Sequence, residues 1–414
     1  MPIDLWRVLA CDGTRAWLFG AGQVEKVPLL PDAAPAWQPG DWIDGSRTPP
    51  HWLGGAVDPG HFPHPDGDFA RLSADHGRIW FAVRARAVLL QAIRSFFDRR
   101  GFVEVDPPTL ATCPGLELHL DAVRADLREG MGGARVTRWL TTSPEYHCKR
   151  LLTAGFPRLY SLGHVFRSGE RGSHHNPEFS MLEWYRAGAP WTDIVRDTRA
   201  LVRHCARRLH AAPELAGLWH VPDRRPHLDL AAPWLRLSVR AAIRRFAEFD
   251  PGRMDDNALV AFRARQAGLE VRAGDGVRDI LTRALVERVE PQLAAAPFVV
   301  LAPFPRCMAS LARAVAGRPW LAERFEIYAG GLELANGFGE LTDPVEQRAR
   351  FEADLAERRR LGRATYPIDE RFLRALGDGC PQASGVALGV DRLLMALTGL
   401  ADIGDVLAFP FERA

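Results

Sequence analysis

The chain has 414 residues, of which 47% are hydrophobic and 25% are charged, and its formal net charge is +2. This composition is typical of a globular protein rather than a disordered one, and the length allows one large domain with a smaller one. A nearly neutral charge gives no global signature of nucleic-acid binding. The six scattered cysteines, the lack of an N-terminal signal pattern and the lack of a membrane-length apolar run predict a reduced, cytoplasmic protein without a membrane anchor.

The first 60 residues alternate short apolar runs with turns rich in glycine, proline and aspartate. The runs are LWRVLA, RAWLFG, KVPLL and PGDWIDG. Short strands punctuated by turn residues predict a small β-rich module over residues 1–60. Residues 61–76, HFPHPDGDFARLSADH, hold histidine and aspartate at spacings that resemble a metal site. Proline and glycine favour a linker instead, and no four-ligand set is complete.

A long helix is predicted from Ile79 to Arg100, ended by Gly101 and followed by the short strand FVEVDPP. The pattern alone is equally that of an ordinary amphipathic core helix. Its recurring apolar positions are Val83, Ala87, Leu90, Ile93 and Phe97.

The triplet Ser143-Pro144-Glu145 follows a strand predicted at Trp139–Thr142 and precedes a helix that starts near Tyr146. Serine as the cap, proline at the first helical position and glutamate in the first turn form a normal helix start. A purely structural role therefore explains this triplet well.

Two antiparallel strands, Arg158–Phe166 and Pro177–Tyr185, are predicted on either side of a polar loop rich in glycine, serine, histidine and arginine. Alternation places Glu183 and Tyr185 on one face of the second strand, which predicts a polar pocket on the sheet. Arg167 stands where the first strand ends. Its planar guanidinium group is suited to bind a phosphate, although an arginine at a strand end is usually only solvated.

Downstream, a poorly patterned helical region (residues 190–295) precedes the string FEIYAGGLELANGF, which spans Phe325–Phe338. Glu333 and Glu340 would lie on opposite faces of a straight strand. We expect a bulge or turn at Asn336-Gly337 to bring both to one side. Two carboxylates that share a site fit a divalent cation such as Mg²⁺, whereas without further context they would be two exposed charges.

Near the C-terminus, SGVALGVDRLLM (Ser384–Met395) runs from a glycine-dotted strand into a helix. Glycines let a planar base and phosphates approach the backbone closely. Arg392 at the helix start adds its charge to the positive end of the helix dipole, which favours a bound anion.

Taken together, these segments resemble a known family. Residues 141–186 closely resemble motif 2 of the class II aminoacyl-tRNA synthetases, the predicted helix with GFVEVDPP resembles motif 1, and SGVALGVDRL resembles motif 3. SPEYHCKRLL, HNPEFSMLEWYR and SGVALGVDRL together resemble the elongation factor P lysine ligases, which are paralogues of lysyl-tRNA synthetase. The resemblance covers roughly Ser73 to Ala414.

The fold that this resemblance implies is α+β, with an antiparallel catalytic sheet flanked by helices over residues 77–414 and an insertion at about residues 190–295. Lysyl-tRNA synthetases carry an anticodon-binding OB barrel where this chain has residues 1–60. We expect a reduced, OB-like module there, packed on the catalytic domain. The elongation factor P ligases usually lack such a module, so its presence is a departure.

The implied activity is that of an ATP-dependent ligase, a homodimer formed through motif 1. It activates lysine or (R)-β-lysine as an adenylate and transfers it to a lysine side chain of elongation factor P. The resemblance implies that Arg167 binds the α-phosphate, Arg392 binds the γ-phosphate, and Glu333 and Glu340 hold Mg²⁺. The nucleotide would be bound by Arg167, Asn176, Glu333, Leu334, Gly389 and Arg392. The amino acid would be bound by Ser143, Pro144, Glu145, Glu183, Tyr185 and Glu340.

Two positions bear on the choice of substrate and acceptor. Ala387 occupies a position that is glycine in lysyl-tRNA synthetases and alanine in the elongation factor P ligases, and its methyl group biases the pocket toward (R)-β-lysine. Gly169 replaces the glutamate of the family's R-x-E, and we expect Glu170 to take over through a loop shift. Two alternatives stay open: a compact lysyl-tRNA synthetase that uses residues 1–60 on tRNA, and a catalytically weakened ligand-binding paralogue, supported only by Gly169.

Overall fold

A computed structural model of the chain describes residues 5–11, 15–20, 22–28, 37–47, 50–226 and 228–414. The chain divides into two compact units. Unit 1 comprises the described residues of 1–92, 205–226 and 398–414, and unit 2 those of 93–204 and 227–397.

Unit 1 contains a five-stranded antiparallel sheet. Its strands are β1 Leu5–Cys11, β2 Arg15–Gly20, β3 Gln23–Pro28, β4 Trp42–Asp44 and β5 His51–Gly54. They are arranged in the order β3-β2-β1-β4-β5, and Val8, Ala16, Leu18 and Ile43 form a buried cluster. The predicted β-rich character of the N-terminal region is therefore confirmed. Leu29 and Leu30 of the KVPLL run lie outside the described residues.

The long helix, α1 Asp68–Asp98, begins earlier than predicted and contains non-helical backbone at residues 74–77. The predicted linker, residues 61–76, thus includes the first turns of this helix. At the break, Gly77 has a φ of 72°, and a Cβ there would lie 2.8 Å from the carbonyl oxygen of Gly22. The predicted stripe is confirmed at Ile93 and Phe97, which are fully buried, but not at Val83, which is 39% exposed.

Unit 2 is built around an eight-stranded sheet, with two three-stranded sheets beside it. The strands in chain order are β6 Val103–Glu104, β7 Leu110–Ala111, β8 Arg124–Arg128, β9 Arg135–Leu140, β10 Arg158–Phe166, β11 Glu178–Ala187, β12 Leu235–Leu237, β13 Phe298–Leu301, β14 Phe304–Pro305, β15 Ala314–Val315, β16 Arg318–Ala322, β17 Arg324–Ala329, β18 Leu332–Gly339 and β19 Ala383–Gly389. The large sheet has the order β12-β13-β17-β18-β19-β11-β10-β6 and is antiparallel except for its two outermost pairs.

The remaining α-helices are α2 Glu145–Thr153, α3 Trp191–His210, α4 Val239–Ala242, α5 Asn257–Gln266, α6 Val277–Ala284, α7 Glu290–Leu293, α8 Pro344–Arg360, α9 Glu370–Gly377 and α10 Val390–Thr398. The predicted helical region at 190–295 holds α3 to α7 and two π-helical turns, Ile243–Ala247 and Leu285–Val289. Its apolar side chains join a buried cluster with β13. An antiparallel sheet with separate helical segments is an α+β fold, as predicted. No helix in the described part of the chain is long and apolar enough to cross a membrane.

The predicted strand at Arg158–Phe166 is confirmed residue for residue as β10, and its predicted partner is β11, shifted slightly toward the C-terminus. The segment from Phe325 to Phe338 is a hairpin of β17 and β18. It turns at Gly330 and Gly331, whose φ values of 54° and 85° favour glycine.

Candidate active site

The register of the large sheet places residues from three predicted motifs in one row. Glu183 of β11 lies opposite Ala387 of β19, and Ala387 lies opposite Asn336 of β18. Side chains directly opposite each other on neighbouring strands share a face and lie about 5 Å apart. Glu183, Ala387 and Asn336 therefore form a continuous floor across the sheet.

Glu183 is held at this floor by two hydroxyl groups. Ser143 Oγ donates to Glu183 Oε1 over 2.6 Å, and Tyr185 donates its phenolic hydrogen to Glu183 Oε2 over 2.7 Å. Ser143 also accepts a hydrogen bond from the backbone N–H of Glu145, although Pro144, and not Ser143 as predicted, is the N-cap residue of α2. The carboxylate is 1% exposed. The structure thus brings together three residues predicted to bind the amino acid.

A residue that sequence reasoning missed, Lys149, lies beside them. Its Nζ is 2.5 Å from Glu145 Oε1 and 2.6 Å from Glu340 Oε2, and its side chain is 1% exposed. A sequence signal existed, because Glu145 and Lys149 are four residues apart on one helix, the spacing of an ion pair. Below, "amino-acid pocket" means Ser143, Glu145, Lys149, Glu183, Tyr185 and Glu340.

Gly385 makes room for two members of the amino-acid pocket. A Cβ at Gly385 would lie 2.2 Å from Cδ1 of Tyr185 and 2.8 Å from Oε1 of Glu340. Real Cβ atoms do not approach other atoms this closely, so the Tyr185 ring and the Glu340 carboxylate lie directly over the glycine backbone. Glu340 therefore belongs to the amino-acid pocket.

Burial governs the electrostatics of these carboxylates. Burial, reinforced by the nearby charge of Glu145, raises the pKa of Glu183 to about 8. Burial also raises the pKa of Glu340, while the ammonium group of Lys149 acts against that shift. The pKa of Lys149 is raised, because its two carboxylate partners outweigh the effect of burial. Buried carboxylates in excess of the neighbouring ammonium favour a ligand that carries positive charge.

A second residue missed from the sequence is Glu117, whose carboxylate lies close enough to Glu145 of the amino-acid pocket for their charges to interact. Its Oε2 is 2.6 Å from the position that a Cβ of Gly115 would take. Burial and the charge of Glu145 raise the pKa of Glu117 to about 7. No sequence pattern singled it out, because ELHL is a common run of residue types.

The loop that carries Glu117 is held by a fully buried arginine. Arg358 of α8 is 0% exposed and donates hydrogen bonds to the carbonyl oxygens of Glu117 and Leu120 and to the carboxylate of Asp121. The carbonyl oxygen of Asp121 in turn accepts from the N–H of Ser168, the residue after Arg167. Arg358 therefore fixes a loop that reaches the predicted phosphate-binding strand end.

Arg167 lies at that strand end, as predicted. Its backbone N–H donates to the carbonyl oxygen of Pro177, and its guanidinium group lies 5.0 Å from the centre of the Phe179 ring and 3.8 Å from Glu170. Gly169 has a φ of 82°, a conformation that glutamate adopts only with strain. The loop geometry thus accounts for glycine at this position and turns Glu170 toward Arg167.

Arg392 lies in the first turn of α10 and links two predicted nucleotide-binding segments. It donates to the carbonyl oxygens of Glu333 and His174 over 3.0 and 3.1 Å. Its Nη2 lies 2.6 Å from Nε2 of His175, and burial together with Arg392 lowers the pKa of that imidazole. Its Nη1 is also 3.8 Å from the carboxylate of Glu333.

The remaining predicted nucleotide-binding residues lie along the same elements. Asn176 donates from Nδ2 to the carbonyl oxygen of Glu178 over 2.6 Å and so braces the start of β11. Leu334 is buried in β18, and Gly389 ends β19 opposite Met181. Pro144 directly precedes α2. Their roles toward ATP or the amino acid stay predictions.

A metal site shared by Glu333 and Glu340 stays a prediction. A bulge exists in β18, but it lies at Leu334 rather than at Asn336-Gly337. The two glutamates are seven positions apart in sequence, roughly 20 Å along an extended strand. Their contacts differ accordingly, since Glu333 faces Arg392 and Glu340 faces Lys149.

The donor set therefore fits Mg²⁺ only in part. Glu333 has a side chain that is 40% exposed beside a phosphate-binding candidate, which suits a cation that arrives with ATP. Glu340 fits less well, because the ammonium group of Lys149 lies 2.6 Å from its Oε2 and its side chain is 1% exposed. Within the described residues, no group of three or more histidine, cysteine, aspartate or glutamate side chains is arranged to hold a metal ion.

Comparison with known proteins gives a consistent set of relatives. The profile of the class II tRNA synthetases (D, K and N) matches residues 73–413. An elongation factor P–(R)-β-lysine ligase from Avibacterium paragallinarum is 40% identical over 331 residues, which cover 80% of this chain and 95% of that protein. The ligase of the same name from Haemophilus influenzae (strain PittGG) is 37% identical, covering 80% and 94%. A lysine–tRNA ligase from Moorella thermoacetica is 36% identical over 80% of this chain but 65% of its own length.

Proposed function

The chain belongs to the elongation factor P–(R)-β-lysine ligase family of class II synthetases, and from this premise we propose that it ligates a lysine-type amino acid to elongation factor P. The substrate is lysine or (R)-β-lysine, which the enzyme activates with ATP. The observation that carries the proposal is the amino-acid pocket. Its buried carboxyl groups outnumber the ammonium of Lys149, so an incoming ammonium group supplies the partner that lets a carboxyl group, otherwise kept protonated by burial, ionise.

Activation needs alignment rather than a general base. The substrate carboxylate, already ionised, attacks the α-phosphorus of ATP, and the bond to pyrophosphate breaks. Arg167 at the end of β10 balances charge on the α-phosphate, and Arg392 at the start of α10 holds the γ-phosphate. Glu333 would hold the Mg²⁺ that accompanies ATP, and the ion would supply neutralisation of phosphate charge. Glu183 and Tyr185 anchor the ammonium end of the amino acid, so that its carboxylate points toward Arg167.

Transfer then forms an amide bond. The uncharged amine of the acceptor lysine attacks the carbonyl carbon of the adenylate, AMP leaves, and the amine gives up a proton to solvent. Elongation factor P is the acceptor named for the relatives that match 94–95% of their own length.

A second candidate function is the charging of tRNA with lysine, and two observations favour it. The lysine–tRNA ligase from Moorella thermoacetica is 36% identical. The N-terminal sheet has the strand order of an OB barrel opened between its third and fifth strands, so we propose an OB-like module there. Charge argues against tRNA as its ligand: residues 1–60 contain four Lys or Arg and seven Asp or Glu, a net charge of 4 − 7 = −3.

The deciding experiment measures pyrophosphate release from ATP with α-lysine or (R)-β-lysine, each with elongation factor P or with lysine tRNA as acceptor. We expect turnover with elongation factor P and a mass increase on one of its lysines, with tRNA left uncharged. Charging of tRNA would establish the second function. Absence of pyrophosphate with both amino acids would contradict ligation and leave a ligand-binding paralogue.

We further propose that the enzyme is a cytoplasmic homodimer assembled through α1 and β6, the elements that correspond to motif 1. Light scattering coupled to gel filtration measures the mass in solution. A mass of twice 46.0 kDa is expected, and a single-chain mass at micromolar concentration would contradict the proposal.

A further inference from the structure

Lys149 is one of two lysines in the chain, the other being Lys26. Its side chain is 1% exposed, and its ion-pair partners are Glu145 and Glu340. A buried ammonium group is unfavourable unless it is paired, so this arrangement is maintained by the two carboxylates together. Both carboxylates were predicted to bind the substrate.

The three residues come from two elements that are far apart in sequence. Glu145 and Lys149 lie on successive turns of α2, whereas Glu340 directly follows β18. Lys149 therefore ties the helix to the strand end. It takes one oxygen of Glu340, and the other oxygen lies over Gly385 beside the ring of Tyr185.

We propose that Lys149 is a positioning residue of the amino-acid pocket: its ammonium group fixes Glu145 and Glu340 and so sets the carboxylate arrangement that selects diamino acids over amino acids with one amine. This inference rests on the proposed function, which supplies the diamino acid. Without the ammonium group, two buried carboxylates would lie together unpaired, and at least one would take up a proton. The amino-acid pocket would then lose negative charge, and its carboxylates would no longer be held in place where they contact the ligand.

A lysine that only stabilises the fold makes a different prediction. Its replacement would lower the melting temperature, but the folded fraction would bind amino acid and ATP as before. The ratio of the two KM values separates these cases, because Arg167 and Arg392 lie on other elements and their contacts do not include Lys149.

The experiment compares Lys149→Met and Lys149→Arg with wild type in ATP–pyrophosphate exchange. Lysine, 6-aminohexanoate and norleucine serve as ligands that retain both amines, only the terminal amine, or only the α-amine. For Lys149→Met we expect KM for lysine to rise at least tenfold while KM for ATP stays within twofold. The preference for lysine over norleucine should fall by a similar factor. Lys149→Arg should partly restore both the low KM for lysine and this preference.

Lys26→Met is the matched control, because Lys26 is exposed on β3 in unit 1 and stacks on Trp17. It should leave both KM values unchanged. If Lys149→Met does not fold, Lys149→Gln, which keeps a hydrogen-bond donor but removes the charge, is tested for the same change in KM ratio. An unchanged KM ratio and unchanged ligand preference in a folded variant would overturn the inference.

Calorimetric titration with lysine keeps this inference separate from the proposed function. Suppose that wild type exchanges no pyrophosphate but binds lysine in preference to norleucine, and that Lys149→Met loses this preference. The proposed function then fails and the role of Lys149 stands. If wild type exchanges pyrophosphate normally and Lys149→Met has the same KM values and ligand preference, the proposed function stands and the role of Lys149 fails.

Discussion

At the scale of single residues, the methyl group of Ala387 lies between Glu183 and Asn336 on the floor of the amino-acid pocket. Ala387→Gly should raise kcat/KM for α-lysine relative to (R)-β-lysine, because removing the methyl widens the floor where the two substrates differ in ammonium position. One methylene-sized change is worth about 1–3 kcal/mol, so the ratio should shift by roughly tenfold or more. Pyrophosphate exchange with both amino acids measures it.

Ala335→Gly provides the control for this change. Ala335 lies on the neighbouring strand opposite Leu388, one residue away from Asn336 and thus on the other face of the sheet. The Ala335→Gly variant gains the same backbone freedom as Ala387→Gly but leaves the floor of the amino-acid pocket unchanged. An equal shift in both variants would mean that strand flexibility, and not the methyl group, determines the preference.

The raised pKa of Glu183, about 8, predicts a pH dependence of amino-acid binding. Below that pKa the carboxyl group is mostly protonated, and an incoming ammonium group must displace the proton. KM for lysine should therefore fall as pH rises from 6.5 toward 8 and level off above it, while KM for ATP changes little. Because other buried carboxylates titrate nearby, the profile reports an apparent value for the group.

Two variants test this assignment. Glu183→Gln should raise KM and flatten the profile, since no proton is displaced. Tyr185→Phe removes a hydrogen bond that stabilises the ionised carboxylate and should move the profile to higher pH. A wild-type profile that is flat between pH 6.5 and 8.5 would show that Glu183 is already ionised in the free enzyme.

The sequence allowed the identities of the pocket residues to be predicted better than their partners. Glu183 and Tyr185 followed from strand alternation, and they do share a pocket. The pairing of Lys149 with Glu340 depends on which strand end meets α2, and no local pattern contains that contact. For the same reason, the contact of Glu340 with an ammonium group of the protein was not predicted, although Glu340 was predicted to bind both the amino acid and Mg²⁺.

At the scale of elements, close packing across β11 and β19 depends on glycine at position 385. Gly385→Ala would force the Tyr185 ring and the Glu340 carboxylate to move. We expect a free energy of unfolding lower by about 1–3 kcal/mol and a raised KM for lysine, measured by chemical denaturation and pyrophosphate exchange. Gly163→Ala in β10 is the control, because its Cβ would meet no atom within 4 Å. Equal destabilisation in both variants would contradict the packing argument.

The loop held by Arg358 is a second element with a testable dependence. Arg358→Met leaves the carbonyl oxygens of Glu117 and Leu120 without their buried donor, so the free energy of unfolding should fall by about 3–5 kcal/mol. Limited proteolysis should cut near residues 117–122 sooner than in wild type. Arg360→Met is the control, because it replaces an exposed side chain of the same helix. It should change the free energy of unfolding by less than about 1 kcal/mol. Unchanged proteolysis would show that other contacts hold the loop.

Elements with strong local patterns were predicted well, and those set by neighbours were not. The alternation in β10 sufficed to give both its ends. The bulge of β18 was expected at Asn336-Gly337 because that dipeptide favours turns, but it lies at Leu334. The position of a bulge depends on the register with β17 and β19, which local turn propensity does not determine.

At the scale of the whole molecule, the described residues of unit 1 come from three stretches of the chain, so its predicted boundary at residue 60 does not follow its packing. The Phe19 ring of β2 lies 5.6 Å from that of Phe69 and 6.2 Å from that of Trp80, both on α1. Phe81 lies against Gly22, where a Cβ would be 2.5 Å from its ring. The N-terminal sheet and the first half of α1 thus share apolar contacts, which composition alone did not indicate.

This packing predicts that the N-terminal sheet is not a removable appendage. A chain that lacks residues 1–60 would expose Phe69, Trp80 and Phe81 together, and burial of aromatic rings is a large part of the stability of a small unit. We expect a lower melting temperature and a tendency to aggregate, measured by calorimetry and light scattering. Phe19→Ala should cause a milder form of the same loss, about 3–5 kcal/mol, whereas Val24→Ala on exposed β3 should be nearly neutral. A truncated chain with the melting temperature of the full chain would instead show that the sheet is free to serve a separate ligand, and would return tRNA binding to consideration.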